Sequence, residues 1–549
     1  MSSTRFLLLA GAGGVAVALG LTFPLALHLR SAFLDDGTFD AFQFAWNLWW
    51  AGESLVRLHT NPLFTRYLYY PEGVPLLFHT GVLPLGVVSI PLQTACGLVC
   101  AQNILVIAAP ALTVLFTGWL AREVTGDPCA AFAGGVVAAV NPFAVWVLPV
   151  LNLTCIYLMA AMFVVWWRLQ QRRRAGYVAI TLCVLAVLVF VSPEYATMVL
   201  ALLALDTLYR LLVPTSWGQG LLWPRGTTAF WLLGGAALSA LALAASSSPP
   251  VPPPLAQVEL GSGYLAGFVT PPWLLKPYAP FWSVYYLGTA PLLLLPVASL
   301  CRRRQATFWL LALVFCTAMA LGPRMHLFHP WYGGWSAPGP YELARRLIPL
   351  LAVSRAPYRW IAAAQMLLAV LTALGVAELR ARCTARARAI ATAGLVALVL
   401  GGSMLDTAGL RGTLVGAEIP APYGLIRDDP DRAAVVELPS GLTAEGFAAF
   451  SSLYMYYQTS HHKYLLEGTL ARLPPDRQLG PQAPLTDFAL LPFVKYVIVH
   501  HELIPLAPPL MRRYVDRLVG LLRVQGAPVV AGSGVTIYRM RTFRPESVR

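Results

Sequence analysis

Carboxylates are scarce in this chain, with 25 Asp and Glu among 549 residues, so their positions carry information. The densest early stretch reads Leu34-Asp35-Asp36-Gly37-Thr38-Phe39-Asp40, followed by Ala41-Phe42-Gln43-Phe44-Ala45-Trp46-Asn47-Leu48-Trp49-Trp50. A positioned carboxylate can take the proton of an attacking hydroxyl. Asp40, Gln43 and Asn47 recur at helical spacing and share one face of an amphipathic helix, whose tryptophans suit a membrane interface. Asp40 and Asp36 are the candidate bases; the plain alternative for Asp40 is a helix cap. Glu194, in Ser192-Pro193-Glu194-Tyr195, is a third candidate at the mouth of two apolar runs. Burial there would raise its pKa and a cation would lower it. The opposite charge comes from Arg355 and Arg359 in Val353-Ser354-Arg355-Ala356-Pro357-Tyr358-Arg359-Trp360. Their spacing predicts one helical face, and paired guanidinium donors fit a phosphate. The plain alternative is snorkelling toward headgroups.

Other polar motifs read as structural. His79-Thr80 caps the next helix or contacts a bound ligand. His461-His462-Lys463 and His500-His501-Glu502 lack metal-ligand spacing. The first of these reads as a turn, with substrate contact as the sharper alternative. Asn152-Leu153-Thr154 matches a glycosylation sequon by chance at a helix mouth. No glycine-rich phosphate loop follows a strand, which argues against an ATP-driven pump. The eight cysteines lie in or beside apolar runs without metal or disulfide spacing and read as small buried hydrophobes.

These groups need elements to hold them, and composition says which. The chain is 57% hydrophobic and 12% charged, with mean hydropathy +0.64. That excludes an ordinary cytosolic enzyme and excludes disorder. The net charge of +14 does not point to nucleic acid. All but Lys276, Lys463 and Lys495 of the 39 basic residues are Arg, set in short clusters between apolar runs. That is the signature of membrane orientation.

Twelve apolar runs are long enough to consider: 6–28, 81–99, 103–121, 129–148, 151–167, 176–192, 196–213, 228–247, 285–300, 306–322, 358–377 and 388–406. The first reads as an uncleaved helix. Strong clusters fall at Arg168/Arg172/Arg173/Arg174, Arg302/Arg303/Arg304 and Arg380/Arg382/Arg386/Arg388. Positive residues stay in the cytoplasm. From a cytoplasmic N-terminus, all clusters fall inside only if 81–99 does not span. That run carries Pro84 and Pro91, which break helix hydrogen bonds. The expectation is a mostly α, polytopic membrane bundle of about eleven spans. Residues 1–406 form the membrane domain, 81–99 a juxtamembrane or re-entrant element, and 407–549 an extracytoplasmic α/β domain. Loops 29–79, 248–284 and 323–357 lie outside. In the tail, Ala433 to Leu438 and Tyr496 to His500 predict strands, and Leu510 to Leu522 a helix. The proline-rich run Ser246 to Pro254 is a stiff loop.

The pattern resembles the polytopic C-type glycosyltransferases (GT-C), which include protein mannosyltransferases and aminoarabinose transferases. The resemblance covers most of the chain. Its residues are Asp40 through Trp50, Asn61 through Gly73, Leu76-Leu77-Phe78-His79-Thr80, Leu120 through Gly126, Ser192-Pro193-Glu194, Tyr286-Leu287-Gly288, Arg355 through Arg359, Glu437 through Gly441 and Tyr454 through Lys463. It implies a catalytic acid in the first outside loop, matched by Asp40 with Asp36 as competitor. The family's usual adjacent acidic pair does not fall on Asp40; the pair in this loop is Asp35-Asp36. It implies an inverting transfer of a sugar from a polyprenyl-phosphate donor to a lipid, glycan or protein acceptor. The setting would be the outer face of the cytoplasmic membrane, among membrane lipids. Arg355, Arg359 and His79 would meet the donor phosphate, and Glu194 would orient the acceptor or assist the base. Metal use differs within the family, and no divalent site is legible here. Two rivals are a flippase of lipid-linked sugars and a non-catalytic membrane scaffold. A flippase would show two related halves, and none is visible.

Overall fold

The computed structural model describes residues 2–77, 79–213, 223–245, 252–274, 284–410, 412–439, 448–470, 491–507, 509–532 and 534–545. Lys276, most of the proline-rich run, Phe78, and Ser440 and Gly441 of the Glu437–Gly441 motif lie outside the described residues. The chain is mostly helical and folds as two compact units. One unit comprises Met1–Leu27, Ile104–Ser247 and Pro252–Gly412; the other holds His28–Asn103 and Thr413–Arg549. These units divide the chain differently from the boundary expected at 406/407.

The first unit is the helical one. Among the described residues, six helices are long and apolar enough to cross a membrane: Thr4–Thr22, Leu98–Thr125, Leu151–Arg172, Pro193–Leu212, Pro357–Arg382 and Arg386–Asp406. Three shorter apolar helices, Pro128–Ala139, Ala175–Val191 and Thr289–Cys301, accompany them. The expected eleven crossings correspond to these nine plus Pro224–Ala245 and Arg303–Ala320. The shorter ones have local causes. Asn141 ends one helix and caps the next, its side chain accepting the Ala144 N–H at 3.0 Å, and Pro296 lies inside another, where it removes one helix hydrogen bond.

The arginine clusters gather at one end of this unit. Arg168 pairs with Glu123. Arg380 pairs with Asp127 at 2.9 Å and Arg302 with Glu378 at 2.7 Å. Arg122 lies over the Phe6 ring, 4.7 Å from its centroid. Near the same helix ends, Arg210 (2.7 Å) and the Trp166 indole N–H (2.8 Å) both reach Asp206. The start of the first helix and the ends of Leu98–Thr125, Ile156–Arg172, Pro193–Leu212, Thr289–Cys301 and Ile361–Arg382 therefore meet there.

The second unit joins the first loop to the tail. Strand Ala32–Asp35 pairs antiparallel with Thr413–Gly416, Asp35 opposite Thr413. The tail sheet runs in the order Gly526–Ala531, Val535–Met540, Val494–His500, Ala434–Leu438, Tyr464–Leu465. The first two pairings are antiparallel and the last two parallel. The predicted strands and helix appear as Ala434–Leu438, Val494–His500 and Pro509–Gln525. Helix Leu83–Cys96 belongs to this unit. It carries Pro84 in its first turn and Pro91 inside the helix. It packs on the Asp40–Gly52 helix, where Gln93 Nε2 donates to the Leu48 carbonyl at 2.9 Å. A Cβ on Gly86 would come within 2.5 Å of Ala51 Cβ, so only glycine permits this approach.

Two expectations are corrected. The tryptophans of the Asp40–Gly52 helix are not presented to a headgroup belt: Trp46, Trp49 and Trp50 are buried in the core of the second unit. The Trp46 indole donates to Gln458 at 2.7 Å, and its ring stacks on Trp50 with centroids 5.7 Å apart. Burying three indoles against the tail gains more than exposing them to water. The cysteines are not uniformly buried either. Cys96 and Cys100 form a disulfide, and Cys129, Cys183 and Cys301 are exposed.

Glu53, just past the tryptophan helix, is buried. Burial pushes its carboxyl up, but His462 (3.2 Å) and Arg57 outweigh that and hold it down at about 2. The unfolded chain takes this proton near 4.5. Between those values the unfolded state binds more protons, so stability is present above 4.5 and lost as pH falls toward 2. Glu53→Gln is expected to flatten the acid limb of an unfolding-versus-pH curve, by up to about 1.4 kcal/mol per pH unit. An unchanged slope would show that this network does not govern acid stability.

Candidate functional site

In the second unit, Asp35 ends its strand fully buried. Its Oδ1 accepts the backbone N–H groups of Gly37 (2.7 Å) and Phe39 (3.1 Å), and its Oδ2 that of Ala41 (3.2 Å). Burial pushes the carboxyl above its usual range, against the lowering by these three donors. The turn needs this support, because Phe39 has φ 61°, a left-handed conformation that a bulky residue rarely adopts. Asp36 is exposed. Its Oδ1 accepts from Thr38 N (3.2 Å) and Thr38 Oγ1 (2.6 Å). Asp40 is half-buried in the first turn of its helix, where a carboxylate is favoured by the helix dipole. The sequence reading gave Asp35 no role of its own; only its place in a pair signalled it.

Gln43 and Asn47, predicted on one face with Asp40, bind the His79-Thr80 corner. Gln43 Nε2 donates to Thr80 Oγ1 at 3.0 Å, and Asn47 Nδ2 donates to the Thr80 carbonyl at 2.9 Å. His79 Nε2 meets Asn47 Oδ1 at 2.8 Å. His79 is buried, which pushes its pKa down to about 3 and keeps the ring neutral. Neither His79 nor Thr80 caps the next helix, whose cap position is Val82. In the tail, Lys463 Nζ donates to the carbonyls of Asp429 (2.5 Å) and Asp431 (2.6 Å). His500 lies buried against Glu437 at 2.8 Å, with Tyr423 donating to both carboxylate oxygens at 2.8 Å. These groups hold the tail together.

In the first unit, Ser192 caps the Pro193–Leu212 helix by accepting the Tyr195 N–H at 3.4 Å. Proline at its start and Glu194 in its first turn are favoured helix-opening residues. The cation missing from Glu194's sequence neighbourhood is Arg359, whose Nη1 donates to Glu194 Oε2 at 2.7 Å. Ser354 Oγ donates to Oε1 at 3.1 Å. A small cleft here is lined by Glu194, Thr197, Met198, Leu351, Ser354 and Trp360. The expected common face for Arg355 and Arg359 is not formed. Arg355 lies in a bend ahead of a 3-10 turn over Pro357–Trp360, because the residue before proline is disfavoured in the helical region (Ala356 φ −133°, ψ 69°). Arg355 is exposed, while Arg359 is held by Glu194. Asn152 is buried, so the sequon is not presented. Asp406 was also missed. It accepts Thr289 N–H and Thr289 Oγ1, both at 2.7 Å, capping the Thr289–Cys301 helix from 117 residues away. Among the described residues, no group of three or more His, Cys, Asp or Glu side chains could hold a metal ion.

No family model and no curated protein matches the chain. Solved structures do. Arabinofuranosyltransferase AftD from Mycobacteria aligns over 98% of this chain and 41% of its own, with 16% identity and TM-score 0.53. This chain thus spans under half of that one. The archaeal oligosaccharyltransferase AglB from Archaeoglobus fulgidus, solved with an inhibitory peptide and a dolichol-phosphate, aligns over 91% of this chain and 70% of its own, at 12% identity and TM-score 0.50. A structure of the Archaeoglobus fulgidus oligosaccharyltransferase tethered with an acceptor peptide aligns over 98% and 74%, at 12% identity and TM-score 0.50. The chain has the fold of the GT-C membrane glycosyltransferases.

Proposed function

We propose that the chain is an inverting membrane glycosyltransferase. It takes a sugar from a polyprenyl-phosphate donor and passes it to a lipid, glycan or protein acceptor at the outer face of the cytoplasmic membrane. The N-terminus and the arginine clusters would be cytoplasmic and the tail domain extracytoplasmic. One structural neighbour was solved with a dolichol-phosphate, a lipid phosphate of the donor's class.

In this reading the acceptor hydroxyl attacks the anomeric carbon while the bond to the donor phosphate breaks. The hydroxyl proton passes to a loop carboxylate and the bonding electrons leave on the phosphate oxygen. Asp36 is the better placed base, because it is exposed on a turn fixed by buried Asp35. Asp40 stays as second candidate. Arg355 is the exposed guanidinium for the departing phosphate. Arg359 and Glu194 hold its neighbourhood rather than turning over with substrate. His79 contributes as a neutral hydrogen-bonding group. The observation that carries the proposal is an exposed, rigidly presented loop carboxylate on a GT-C fold.

The test is direct transfer. Membranes containing the protein are given radiolabelled polyprenyl-phosphate hexoses and pentoses, and label is followed into lipid, glycan and protein fractions. Transfer above that of empty membranes is expected for one donor. If no donor yields product, and labelled lipid-linked sugar instead changes leaflet, the proposal fails.

A further inference from the structure

Between helix Arg303–Ala320 and the span Pro357–Arg382 lies a segment with its own small architecture. Strands Arg324–His326 and Ser336–Pro338 form a hairpin, and helix Pro340–Leu347 follows. The hairpin end turns through Gly333 and Gly334, with φ 66° and 100°, conformations that favour glycine. It is tied back at its base: the Ala266 N–H donates to the Leu327 carbonyl at 3.0 Å, and His329 packs edge-on against Tyr264 with centroids 6.0 Å apart.

What the segment exposes is unusual for a loop. Phe328 is 54% exposed, Tyr332 62% and Trp335 55%. On the short helix Tyr341 is fully buried, whereas Leu343 and Leu347, one turn apart, are 64% and 70% exposed. Arg346 is exposed on that helix and pairs with Glu342 at 2.9 Å, and Arg324 is exposed on the hairpin. Against these arginines and Arg345 the segment carries one acid, Glu342. Exposed aromatics and leucines beside arginines mark an interaction surface.

The tethers identify the partner. Phe315, near the end of the first helix, packs edge-to-face on Trp360 at the start of the span, centroids 5.6 Å apart. A Cβ on Gly322 would lie 3.6 Å from Pro357 Cγ. Both ends of the segment therefore emerge together at the mouth of a membrane-crossing helix. Tyr and Trp concentrate at the headgroup level, and short amphipathic helices lie there with leucines down and arginines toward phosphate. We infer that the hairpin tip and the Pro340–Leu347 helix rest on the bilayer surface, with Phe328, Tyr332, Trp335, Leu343 and Leu347 in the headgroup region and the arginines on lipid phosphates. This reading does not depend on glycosyl transfer.

The experiment uses full-length protein in nanodiscs of phosphatidylethanolamine and phosphatidylglycerol. Phe328→Cys and Leu343→Cys are made separately in a background with Cys129, Cys183, Cys301 and Cys383 changed to Ser, and labelled with the polarity-sensitive dye NBD. Lipids bearing a nitroxide near the glycerol backbone are expected to quench about half of the emission at both positions, with a blue shift relative to a label on exposed Arg427→Cys. Emission as in water, unaffected by nitroxide lipids, overturns the inference and points to a solvent or protein contact. Quenching only by a nitroxide at the end of the acyl chain also overturns it, since the segment would then lie in hydrocarbon.

Discussion

Asp36→Asn is expected to reduce sugar transfer by about 10²–10⁴-fold, the worth of a general base, while the protein inserts and folds normally. The side chain is exposed, and its described bonds go only to Thr38, so little packing is lost. Asn keeps the shape and can still accept from Thr38, but it cannot take a proton. Asp35→Asn should behave differently. There an amide NH₂ would replace one of two carboxylate oxygens that accept backbone N–H groups, and at least one buried donor would lose its partner. The cost is about 1–3 kcal/mol of stability. Turnover with a labelled donor, read beside an unfolding curve, separates the two. If Asp36→Asn keeps wild-type turnover and Asp40→Asn does not, the base is Asp40; if both keep it, loop-carboxylate catalysis is wrong.

The second large effect concerns Arg359. Arg359→Ala leaves Glu194 with its charge in a site where the two side chains are only 20% and 21% exposed. Removing one partner of such a pair costs about 3 kcal/mol. The Pro193–Leu212 helix should loosen from the Pro357 turn, seen as a lower midpoint in mixed-micelle unfolding. The double variant Glu194→Leu/Arg359→Met should lose less than the sum of the single changes, because no charge is left stranded. Additive losses would mean the two groups do not act as a pair. Arg355→Ala, by contrast, should spare stability and lower transfer, since its side chain is exposed.

What was legible in the sequence was local. Hydropathy gave the mostly helical class, because long apolar runs can satisfy their backbone only within a helix. Short runs rich in valine, isoleucine and tyrosine gave Ala434–Leu438 and Val494–His500. Asp40 opens its helix as read. The surroundings were not legible, because they come from distant parts of the chain. Trp46 looked like an interfacial residue, and its partner Gln458 lies 412 residues on. Arg359 read as half of a clamp, and its ion pair with Glu194, 165 residues earlier, had no signal in the sequence. Pro357 changes the geometry between Arg355 and Arg359, which a helical-spacing argument ignores. Asp35 was overlooked because only backbone geometry shows which acid of a pair faces inward.

The pairing of Ala32–Asp35 with Thr413–Gly416 has a consequence for biogenesis. The Thr413 hydroxyl reaches the Asp35 carbonyl across 378 residues. A ribosome releases the first strand long before its partner is made, and every intervening helix must be inserted first. Contacts of such sequence separation form late. The strand that leads into the acidic turn therefore gains its partner only after residues 413–416 are made, when every helix between them has already been synthesised.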